Sequence, residues 1–118
     1  MREVGPDDAL SLAGYLEGVA KPLLRSEAVL LAGRLAGLQV LDTADQVSLN
    51  LALLGDYRHA KALAGRLLPR GAAWSIDPSP EGAKRRATRF IVTMDQVRAV
   101  GAVPALVLLA ALLRRAGG

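Results

Sequence analysis

A chain of 118 residues without a cysteine is long enough for one domain with its own core, and it excludes a disulfide framework, a thiolate nucleophile and a cysteine metal site. Hydrophobic residues make up 52% but aromatic ones only 3%, so the core must be built from Leu, Val and Ala, a composition that favours helices over sheets. The net charge of +4 is unevenly placed, with four Lys/Arg against seven Asp/Glu in residues 1–55 and nine against four in residues 56–98, the layout of a molecule that turns one basic side toward a polyanion.

Pro6 followed by Asp7 and Asp8 starts a first helix, because proline suits the first turn and acids complement the positive end of the helix dipole. Leu12, Leu16 and Val19 recur at helical spacing to about residue 19, with Leu23 a turn further on past a bend at Pro22. Ser26 and Glu27 cap a second helix to about Leu38, with Ala28, Leu31, Leu35 and Leu38 on its apolar face. Gly33 and Gly37, four apart, permit close helix contact. Residues 38–41 alternate like a short strand. Thr43-Ala44-Asp45-Gln46 is a capping box that opens a third helix over 44–54. Gly55 can take the positive φ that ends it, and Asp56 can cap the next helix, 57–68, which Pro69 and Gly71 stop.

Beyond Gly71 the pattern becomes extended. Ala73-Trp74-Ser75-Ile76 and Thr88-Arg89-Phe90-Ile91-Val92 flank the turn-forming Pro78-Ser79-Pro80-Glu81-Gly82, which predicts a two-stranded hairpin, with Trp74 and Phe90 packing across it on the core side. Thr93-Met94-Asp95-Gln96 has the form of a second capping box and predicts a C-terminal helix over 94–115, interrupted near Gly101 to Pro104. Its Val103, Leu106, Val107, Leu109, Ala110 and Leu113 cover more than one side of a helix. That excess predicts a homodimer interface, and the competing expectation is that the segment folds back across the first two helices of its own chain.

The fourth helix is the strongest candidate for function. Ala60, Leu63, Ala64 and Leu67 follow the i, i+3, i+4, i+7 rule and face the core, leaving Arg58, Lys61, Ala62 and Gly65 outside. Small residues let a helix sit deep in a DNA groove, and Arg58 near its start can reach guanine O6 and N7 with a two-pronged bond. Tyr57 and His59 flank Arg58 and can bond phosphates. At the hairpin, Lys84, Arg85, Arg86 and Arg89 place four cations within six residues, enough to neutralise several phosphates and make binding steeply salt-dependent.

A capped basic helix after a supporting helix, followed by a basic hairpin, resembles the winged-helix DNA-binding superfamily over residues 26–93. Residues 44–54 match the supporting helix, 57–68 the recognition helix and 73–92 the wing. The likeness is one of architecture and charge, without a diagnostic motif; many relatives place an apolar residue between the turn glycine and the cap, whereas here Asp56 follows Gly55 directly. The resemblance implies a mostly α single domain, a winged helix-turn-helix of about five helices with a two-stranded wing. It implies a small dimeric regulator of transcription or replication on double-stranded DNA, with no cofactor. Winged helices also serve as protein-binding modules, so an adaptor to a polymerase or replication factor is the alternative.

Other readings fail on particular residues. Residues 35–42 look like the opening of the homing-endonuclease signature, but Thr43 stands where a glycine is required. With one histidine, His59, and no acid pair placed for proton transfer, neither an enzyme nor a metal site is expected. The apolar run 99–113 falls short of the roughly 20 residues needed to cross a bilayer. The N-terminal residues carry no secretory pattern, so a cytoplasmic location without membrane contact is expected.

Overall fold

The computed structural model describes residues 6–19, 21, 23–36, 43–68, 72–78, 89–94 and 97–117. Four helices lead: α1 Pro6–Gly18, α2 Arg25–Ala36, α3 Thr43–Leu53 and α4 Tyr57–Leu67. Strands β1 Trp74–Pro78, β2 Phe90–Met94 and β3 Val97–Gly101 follow, and helix α5 Pro104–Gly117 closes the chain. The expected short strand at 38–41 lies outside the described residues.

The strands form one antiparallel meander in the order β1-β2-β3. The two-stranded hairpin expected from the sequence is therefore a three-stranded sheet. The expectation of helix from residue 94 fails at Val97–Gly101, whose residues pair with β2 from Met94↔Val97 to Phe90↔Gly101. The capping-box pattern at Thr93 is overruled by that pairing: Thr93 lies in a strand opposite Ser75 on one side and Arg98 on the other. Trp74 and Phe90 share the core face without facing each other, since Trp74 pairs with Met94 and Phe90 with Pro78.

Helix α5 is the centre of the molecule. Every residue from Ala105 to Leu113 is buried, with α1 against one side and α4, β2 and β3 around the rest. The apolar surface that predicted a dimer is covered by the chain itself, which is why one helix can be hydrophobic all round. Full burial of a Leu or Val contributes roughly 1.5–3 kcal/mol, so this helix supplies much of the drive to fold.

Polar groups fasten the layers together. The Glu17 carboxylate of α1 accepts the Val100 backbone N–H of edge strand β3 at 3.0 Å and Arg114 Nε of α5 at 2.8 Å, with Arg114 Nη2 on the same oxygen. It thereby satisfies an edge N–H that would otherwise offer itself to another strand. Gly101 is needed at this junction: a Cβ there would stand 2.8 Å from Val107 Cγ2 and 3.1 Å from the Glu17 carbonyl oxygen.

Candidate nucleic-acid interface

The turn that sets up α4 is closed by two helix-end devices sharing one residue. Gly55 adopts φ 102. Its N–H donates to the Ala52 carbonyl at 2.9 Å, and the Asp56 N–H donates to the Leu51 carbonyl at 3.0 Å, the Schellman pattern that only a residue tolerant of positive φ permits. Asp56 then caps α4, its Oδ1 accepting the His59 backbone N–H at 3.3 Å while Oδ2 stands 3.0 Å from His59 Nδ1. Desolvation pushes the Asp56 carboxyl upward, but its bonds to the His59 side chain and backbone outweigh this and hold it below the usual carboxylate value.

The two faces of α4 divide as the periodicity predicts. Ala60, Leu63 and Ala64 are buried and Leu67 half-buried, while Arg58, Lys61, Ala62 and Gly65 are exposed. Space is open around Gly65, where an added Cβ would meet nothing within 4 Å. The flanking residues make contacts of their own. Tyr57 is half-buried at the core margin, where desolvation raises its hydroxyl pKa, and its ring lies 5.8 Å beneath the Lys61 ammonium. That contact braces Lys61 against the helix. His59 donates its backbone N–H to the cap, and its Nδ1 stands beside the Asp56 carboxylate.

Arg66 on the last turn of α4 donates to Asp45 on the first turn of α3 at 2.7 Å. This ion pair joins the far ends of the two helices, so α3 and α4 run back beside one another. The outer face of α4 is untouched by this, because its core face makes the packing. Asp45, expected only as part of the box that opens α3, is the buried partner in the pair. Neither this bond nor Glu17–Arg114 leaves a local sequence signal, since the partners are 21 and 97 residues apart.

Lys84, Arg85 and Arg86 lie outside the described residues. Arg89, at the foot of β2, is half-buried, with its Nε enclosed and lacking a hydrogen-bond partner among the described residues. Arg98 was missed in the sequence. It is exposed on the outer face of the sheet in a row with exposed Ser75 and Thr93, and the alternation of Val97-Arg98-Ala99-Val100 was the signal for it.

Among the described residues no three His, Asp or Glu side chains are grouped to hold a metal ion, and no helix is long and apolar enough to cross a membrane. Comparison of the chain with protein-family models, curated proteins and solved structures finds no match.

Proposed function

We propose that this chain binds double-stranded DNA with sequence selectivity, as a small cytoplasmic regulator of transcription of the winged helix-turn-helix kind. The observation that carries the reading is the outer face of α4, where exposed Arg58 and Lys61 stand beside exposed Ala62 and Gly65. A face that is both basic and low in profile suits entry into a major groove. Arg58, near the helix start, supplies the fork for guanine; Lys61, braced on Tyr57, supplies a phosphate contact. Lys84, Arg85, Arg86 and Arg89, on the connection leading into β2, add sequence-independent affinity.

A gel shift against genomic fragments at two salt concentrations tests this. Binding should fall steeply with salt, and neutralising Lys84, Arg85 and Arg86 together should flatten the slope of log K against log salt by roughly two to three units. An unaltered slope removes the hairpin from the interface. A second reading is favoured by the folded-back α3–α4 pair: the same basic face docks on an acidic protein surface, an adaptor role. Absence of any salt-dependent duplex binding by the wild type would select it.

A further inference from the structure

Large apolar side chains stand exposed along α1 and α2. Leu10 and Tyr15 on α1 are 37% and 47% exposed, and Leu24, Val29 and Leu30 at α2 are 70%, 56% and 72% exposed. Between the two helices runs a groove lined by Ser11, Leu12, Tyr15, Leu30 and Leu31, with Glu27 at its side. Glu27 is already engaged: one carboxylate oxygen accepts the Tyr15 hydroxyl at 3.2 Å and the other the Leu24 N–H at 3.3 Å. Gly14 on α1 and Gly33 on α2 are exposed, and an added Cβ at either would meet nothing within 4 Å. Glycine inside a helix costs roughly 0.5–1 kcal/mol relative to alanine, and no contact within the described chain calls for it at these two positions.

We infer that this face is a homodimer interface, in which a second copy related by a two-fold axis seats its Leu30 in the groove and receives this chain's Leu30 in return. A two-fold contact must be self-complementary. Here Leu30 both protrudes from α2 and borders the groove between α1 and α2, so one operation fills both grooves. Complete covering of the five exposed side chains buries on the order of 500 Å² per protomer, about 1,000 Å² for the pair, which is the size of a weak, transient interface. Glu27 in the groove wall accepts the Tyr15 hydroxyl and the Leu24 N–H, which offsets part of the cost of drying its carboxylate. The α5 helix, the other apolar element, is covered by its own chain. The inference does not depend on DNA binding.

Sedimentation equilibrium of the wild-type chain and of Leu30→Glu tests it. The wild type should be dimeric at tens of micromolar, and Leu30→Glu should raise the dissociation constant at least about tenfold. Its helical spectrum should stay unchanged, because the position is exposed in the single chain, and its melting temperature should fall only by the stabilisation that association supplies. Should that variant lose its helical spectrum, Leu30→Ser is to show the same direction at smaller size. The absence of native cysteine gives a second arm: an oxidised mixture of Ser11→Cys and Leu30→Cys chains should form the mixed disulfide in preference to either homodisulfide. A wild type that stays monomeric at about 100 micromolar, a folded Leu30 variant with unchanged dissociation constant, or homodisulfides alone would overturn the proposal.

Discussion

Helices α4 and α5 are similar in length and opposite in use. All of α5 from Ala105 to Leu113 is buried, whereas α4 buries Ala60, Leu63 and Ala64 and turns Arg58, Lys61, Ala62 and Gly65 outward. The uniformly apolar helix has no surface left for a partner, so its residues report on folding alone. The amphipathic one holds its place with a narrow stripe and turns a low, basic face outward. Apolar excess in a sequence is therefore a poor guide to an interface when the same chain can wrap it, and the exposed apolar side chains of α1 and α2 are the better one.

The sharpest way to break this contrast is in α5. Leu106→Ala should cost about 2–5 kcal/mol of unfolding free energy, measured by urea denaturation, and Leu106→Glu/Leu109→Glu should unfold the chain rather than yield a folded monomer. A folded, monomeric double variant would restore α5 as a subunit interface. Removing the Glu17 carboxylate by Glu17→Ala strands a half-buried Arg114 and the Val100 N–H. The expected loss is about 2 kcal/mol, and an unchanged midpoint would reduce this junction to a surface contact.

On α4 the effects should appear in binding. Arg58→Ala is expected to cost about 1–3 kcal/mol at the preferred site and to relax discrimination there, as read by competition among variant duplexes; equal losses on every sequence would reassign Arg58 to a phosphate. The smallest effect concerns the cap. Because the folded Asp56 carboxyl lies below its ordinary 3.8, its contribution to stability is complete above that value and fades as pH falls through the folded one. The stability gap between wild type and Asp56→Asn should narrow below about pH 4, and a gap constant with pH would mean that the His59 contacts do not hold the carboxylate.

How much was legible in the chain depended on whether the deciding forces were local. Gly55 and Asp56 carry their turn in their own backbone preferences, so the α3–α4 boundary and the division of α4 into faces were readable. Thr93-x-x-Gln96 was misread because a capping pattern is a local preference, and the pairing of Val97–Gly101 with β2 is not; Arg98 went unnoticed with it. Ser26 illustrates a smaller slip: α2 begins at Arg25, with Glu27 reaching back to the Leu24 N–H. For Tyr57 and His59 the sequence shows residue type but not the contacts each makes. Their packing against the core margin and the Asp56 cap became visible only in three dimensions.

The separation of folding from function between these helices is tested most directly by one double variant, Arg58→Ala/Lys61→Ala, measured for both duplex affinity and unfolding free energy. Surface changes away from caps and core leave stability within about 0.5 kcal/mol, while loss of a base fork and a phosphate contact should weaken binding to the preferred duplex by more than roughly tenfold. Unchanged DNA binding, or weakening matched by a loss of stability, would contradict the assignment of this face.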